Sequence, residues 1–321
     1  MYGTTPSGGF NGYGTVFKIT PTGKLTTPHN FDYEDGAYPQ GGLVQAINGD
    51  IYGTTLFGGA NNSRYGTVFK ITTVGTLITL HTFENTDGAN PEAGLVQAID
   101  GDFYGTTVSG GSSDGGTVFK ITAGGSLTTL HSFCAKARCA DGSNPWGPLV
   151  QATDGNFYGT TAGGGGTCDK GATPCGTVFQ IRSDGMLTTL HTFDGTDGAY
   201  PLSGLVQDSN GNLYGTTNSG GDLSCDISGD GCGTVFRLTM GLGPFVETRP
   251  TSGKVGAVVI ILGTNLTGAS SVRFDGTAAK FKVVSKSEIT TTVPTGATTG
   301  TVEVKTPKKT LKSNVVFRVT K

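Results

Sequence analysis

Hydrophobic and polar positions alternate in short bursts along this chain, and the bursts recur. In GTVFQI at 176–181, Thr177, Phe179 and Ile181 share one face of an extended strand and Val178 takes the other. Apolar groups on both faces predict a sheet packed on both sides, not an antiparallel sheet with one wet face. The phrase YGTT stands at 2, 52, 104, 158 and 214, each time followed by GTVF. Residues 187–239 show the whole unit: LTTLHTF, a turn-rich crossing, GLVQ, LYGTT, a long connection and GTVFRLT. Four strands per unit, buried on both faces and iterated at intervals of 50–56 residues, predict the blades of a β-propeller.

The punctuation agrees. Between GLVQ and YGTT stand Asn48-Gly49, Asp100-Gly101, Asp154-Gly155 and Asn210-Gly211, which supply the positive φ that tight hairpins need. The links between GTVF and LTTLHTF are equally short and uniform. The other two connections in each unit vary in length and content. Because the strands of a blade alternate in direction, the two variable connections fall together at one end. Irregular loops over a rigid scaffold are where binding or catalysis concentrates, so that end is the expected functional face. Five units follow, giving five four-stranded antiparallel blades over 1–239, the first lacking an inner strand and the last an outer one. The chain opens inside a repeat, so a natural N-terminus with its signal peptide is expected to have been removed or truncated.

Beyond a link at about 240–244 the pattern changes. Strand runs at VVIIL, SVRF, KFKVV, EITTTV, GTVEVKT and NVVFRV, about ten residues apart, predict a small Ig-like β-sandwich over 240–321. Charge divides at the same place. Residues 1–239 carry 10 basic against 20 acidic side chains, and 240–321 carry 12 against 4. Two domains that differ in composition or attract one another account for this more simply than a tail facing a polyanion, and no nucleic-acid partner is expected. No apolar run approaches the length of a membrane span. The six cysteines form the local pairs Cys134/Cys139, Cys168/Cys175 and Cys225/Cys232, with no histidine near and no zinc-knuckle spacing. Three disulfides pinning loops are expected, and with them a secreted or cell-surface location and a monomer.

Residues that repeat in every unit are structural candidates. Asp35, Asp87, Asp141 and Asp197 head the DG-x-x-P turns and are expected to cap them. His29, His81, His131 and His191 hold equivalent outer-strand sites, and with no unrepeated histidine a Ser-His-Asp triad is not expected. Residues that break the repeat carry the chemistry. Trp146, the only tryptophan, lies in a stapled loop with Lys136 and Arg138, a combination suited to stacking on a sugar or holding an acidic group. Its alternative is a plug over the propeller mouth. Tyr38 and Tyr200 are taken to occupy the matching position in other crossings. Glu34, Glu84 and Glu92 are unrepeated carboxylates, and a glycosidase needs two such groups facing one another. Asp226, Ser228 and Asp230 loosely follow the opening of a calcium loop without its closing glutamate, the alternative being a polar disulfide loop. No other cofactor is expected.

Through LYGTT…GTVFKIT…LTTLHTF…DGxxPxxGL, residues 1–239 resemble the GloVer-type tandem repeat of bacterial exported proteins. Through "TSGKVGAVVIILGTNL" and "SEITTTVPTGATTGTVEV", the last 80 or so residues resemble an IPT/TIG domain. The first resemblance implies secretion or surface display and brings no catalytic residues. The second implies a spacer or adhesion module. Together with the loop face, these point to a binding module for carbohydrate or a surface polymer. The alternative is a secreted glycoside or ester hydrolase.

Overall fold

The computed structural model describes residues 1–320 apart from 62, 166–174, 223 and 226–230. The fold is all-β, and the 3₁₀ turn Ala137–Cys139 is the one helical element among the described residues. The chain divides into two compact units: Met1–Val150 with Asn156–Leu205 and Gly215–Phe236, and Gln151–Gly155 with Val206–Tyr214 and Arg237–Lys321.

The repeats form propeller-type antiparallel sheets, each strand pairing with the next in sequence. The second sheet is typical, with strands Val44–Gln45, Ile51–Thr55, Thr67–Ile71 and Leu77–Thr82 in that spatial order. The third and fourth repeat it at 96–132 and 150–192. The first sheet has three strands (Tyr2–Thr5, Thr15–Ile19, Leu25–Asn30), as does the fifth (Val206–Gln207, Leu213–Thr216, Val235–Leu238). GLVQ contributes only its last two residues to pairing.

Local geometry explains the phrases. In YGTT at 52–55, the Tyr52 ring stacks on Phe103 of the next sheet at 4.0 Å, and Tyr104 stacks on Phe157 in the same way. A Cβ on Gly53 would stand 2.6 Å from the Phe69 ring, so the glycine makes room for the phenylalanine of GTVF. Thr54 donates to the carbonyl of Ala93 in the following crossing (2.9 Å), and Thr55 shares a 2.8 Å hydrogen bond with Thr67 on the partner strand. Phe69 then meets Phe31 of the preceding sheet edge-on at 5.3 Å. One ring of this size, fully buried, stabilises the fold by about 1.5–3 kcal/mol. The motif is therefore a sheet-to-sheet connector: two rings, two hydroxyls and one space kept empty.

The short hairpins differ from expectation in one respect. At 46–50, Ala46 and Asp50 close the loop, and only Gly49 takes positive φ (94°); Asn48 does not. The asparagine instead accepts the Asp50 amide at its own side chain (3.0 Å). The turn is thus a type I turn ending in a left-handed glycine, a three-residue loop, in place of a two-residue loop with two positive φ values.

In the second unit, the sheet of Val246–Arg249, Val258–Gly263, Glu288–Thr292 and Phe281–Ser285 shares one core with the sheet of Thr277–Ala279, Ser271–Phe274, Val302–Lys305 and Thr310–Lys312. The core is aliphatic (Val259, Ile261, Ile289, Val302, Val304), closed by an edge-on contact of Phe274 and Phe317. Inward residues alternate with outward ones along each strand, as an Ig-like sandwich requires.

Candidate functional site: the loop-bearing end

Hydrogen bonds gather the two variable connections at one end of the sheets. Each crossing bonds the long connection of the sheet it leaves and of the sheet it enters. The crossing between the second and third sheets shows both: Asn90 donates to Tyr65 O (2.8 Å), while Ala89 and Ser109 exchange bonds of 2.8 and 3.1 Å. The same pattern holds at Tyr38 with Tyr13, Asn144 with Gly115, and Tyr200 with Cys175.

Each crossing is tied internally by a pair that sequence reasoning did not join. His29 Nε2 lies 2.6 Å from Asp35 Oδ2, and the equivalents are His81–Asp87 at 2.7 Å, His131–Asp141 at 3.0 Å and His191–Asp197 at 2.6 Å. The other carboxylate oxygen accepts a turn amide, from Asp32 to Asp35 and from Glu84 to Asp87. Burial pushes the Asp87 carboxyl up, but hydrogen bonds from His81 and the Glu84 amide outweigh it and hold the group below its ordinary range; Asp35 behaves alike. The carbonyl of Asp87 also accepts the hydroxyls of Thr117 (3.4 Å) and Thr129 (3.2 Å) on the next sheet. In three crossings the pair is a hydrogen bond, while His29 and Asp35 meet as a close contact without hydrogen-bond geometry at Nε2. The recurring sequence signal was an H-x-F phrase followed at a fixed offset by Asp-Gly, broken only where the stapled loop is inserted.

The residues that break the repeat lie elsewhere on the same connections. Trp146 is 39% exposed. Tyr38 and Tyr200 do not match it. They share left-handed φ (56° and 54°) with Asn90 (58°) and Asn144 (56°), and that is their equivalent position. Trp146 follows the turn proline and aligns with Gln40, Glu92 and Leu202. Tyr38 is half-buried against Tyr13 and Phe57, edge-on to both. Lys136 and Arg138 are exposed, but the cation–ring contacts among the described residues are Lys18 on Tyr2 and Lys120 on Tyr104; neither cation covers Trp146. The Lys136 amide instead donates to Asp141, and Arg138 sits in the 3₁₀ turn closed by the Cys134–Cys139 disulfide.

Glu34 lines an open cavity of about 630 Å³ with Asp32, Asp35, Ala60, Asn61 and Thr79. Glu84 lines an adjoining one of about 330 Å³ that shares Ala60 and Asn61. Glu92 lines neither; burial alone lifts its carboxyl above the ordinary range. Cys225–Cys232 is a disulfide, and no described cysteine is free. Asp226, Ser228, Asp230 and Cys168 lie outside the described residues. Among the described residues no cluster of three or more His, Cys, Asp or Glu side chains is placed to hold a metal.

Residues 1–225 match the model of the Gloeobacter/Verrucomicrobia repeat, and 246–319 match the IPT/TIG domain. No curated protein matches the chain. Among solved structures it is similar to a luciferin-regenerating enzyme (14% identity, TM-score 0.46, covering 75% of this chain and 78% of that one). It is also similar to a gluconolactonase from Xanthomonas campestris (12%, TM-score 0.42, 87% and 79%). A third is sucrose-6-phosphate hydrolase from Lactobacillus gasseri (11%, TM-score 0.36, 96% and 80%). Likenesses this distant carry no inference about activity.

Proposed function

The chain belongs to the Gloeobacter/Verrucomicrobia repeat family, and we propose that it is a monomeric binding module, secreted or displayed at the cell surface, that recognises carbohydrate or a surface polymer through the loop-bearing end of its repeat sheets. One observation carries this reading. The repeated polar side chains are engaged in holding sheets and turns, while Trp146, on the same connections, keeps 39% of its surface open. An indole exposed to this extent suits stacking on the apolar side of a sugar ring. Two disulfides fit a location outside the reducing cytosol, and no helix of the described residues is long and apolar enough to cross a membrane. Similar crossings offer several weak sites, and multivalency turns weak sites into useful avidity. The C-terminal IPT/TIG domain serves as spacer or adhesion module. On a glycan array the protein is expected to show saturable retention, weakened about tenfold or more in Trp146→Ala, the scale of one lost stacking contact. No retention on any glycan overturns the reading.

A second reading, a glycoside or ester hydrolase, is favoured by Glu34 and Glu84 lining cavities that share Ala60 and Asn61. It requires turnover on a glycoside or ester panel that disappears in both Glu34→Gln and Glu84→Gln.

A further inference from the structure

The crossings hold one position where everything around the side chain is fixed and the side chain itself is not. It follows the proline of DG-x-x-P. Each of Pro39, Pro91, Pro145 and Pro201 is buried, with its Cδ 2.7–2.8 Å from where a Cβ would stand on the glycine of the preceding GTVF. That glycine is kept at positive φ, 93° at Gly66 and 90° at Gly176, so ring and backbone lock together. On the other side, the residue after the variable one accepts a hydroxyl from YGTT: Ala93 from Thr54, Gly147 from Thr106 and Ser203 from Thr160.

Between these anchors stand Gln40, Glu92, Trp146 and Leu202: an amide, a carboxyl, an indole and an isobutyl group. A frame position would repeat, as both of its neighbours do in role. Three of the four are exposed, and Glu92 is half-buried. Adjacent crossings touch here. The backbone at Gly41 packs on Ala93 O, and that at Gly147 on Ser203 and Gly204, which sets the stretch carrying Gln40 beside that carrying Glu92, and the stretch carrying Trp146 beside that carrying Leu202.

We propose that Gln40, Glu92, Trp146 and Leu202 form one recognition row for an oligosaccharide chain, each crossing contributing a subsite of different chemistry. Trp146 and Leu202 give an apolar platform for the C–H face of a sugar. Glu92 and Gln40 bond hydroxyls, and Glu92 does so from a partly dried setting, where a hydrogen bond gains strength. This inference rests on the reading above that the loop-bearing end binds carbohydrate.

The single tryptophan makes the row directly observable. Trp146 emission is followed while the intact chain is titrated with cellohexaose, chitohexaose and mannohexaose, with calorimetry in parallel. The expected result is a saturable emission change with one of them. Affinity should fall about tenfold in Glu92→Gln and severalfold in Leu202→Ala, with melting temperatures not lowered, as for one charged hydrogen bond and one apolar contact. Calorimetric binding with silent Trp146 emission, or with affinity indifferent to both variants, overturns the row and leaves the binding reading standing. No calorimetric binding to any of the three, together with an empty glycan array, removes both.

Discussion

Asp87 and Glu92 stand on the same crossing, both carboxylates partly withdrawn from water, and their surroundings push them in opposite directions. Burial raises both. At Asp87 it is outweighed by hydrogen bonds from His81 and from the Glu84 amide, and the group titrates below its ordinary value. At Glu92 nothing outweighs it, and the group titrates above. One carboxylate has its partners built in, and the same arrangement recurs around Asp35, Asp141 and Asp197. The other stands where its counterparts are glutamine, tryptophan and leucine. The difference separates residues that make the scaffold from residues the scaffold presents.

The frame side breaks most severely at its rings. Phe119 fills the space above Gly105 and meets Phe83 edge-on at 5.3 Å. Phe119→Ala is expected to cost about 3–5 kcal/mol, read from chemical denaturation, because the cavity is walled by two sheets. A loss below about 1 kcal/mol would mean the sheets do not depend on this contact.

Acid gives a smaller, graded effect. Asp35 and Asp87 have folded values below the ordinary 3.8. Their contribution is complete above that value and disappears as pH falls through the lower folded values. Stability of the repeat unit should therefore drop on acidification below about pH 4. Asp87→Asn should flatten that drop, and an identical acid profile in the variant would contradict the assignment.

Much of the fold was legible because period and punctuation are local properties. YGTT, GTVF and the Asn-Gly and Asp-Gly turns mark strands wherever they stand, and burial on both faces followed from the Val178 and Phe179 alternation. The site was legible only as an end of the sheets. Which carboxylate meets which ring depends on distances across a turn, so the His81–Asp87 pair was hidden behind two separate structural roles. In the sequence Tyr38 and Trp146 look equivalent, because both are aromatic and close to the turn proline. Counting from that proline puts them on opposite sides of it. Lys136 and Arg138 share a loop with Trp146, yet backbone bonds to Asp141 and the Cys134–Cys139 closure decide where that stretch goes.

The division between frame and row is tested most directly on those two carboxylates. Melting temperature and oligosaccharide affinity are measured together for Asp87→Asn and Glu92→Gln. The expected outcome is a lowered melting temperature with unchanged affinity for the first, and an unchanged or slightly raised melting temperature with about tenfold weaker binding for the second. The reverse pattern, or both variants losing stability and affinity alike, would contradict it.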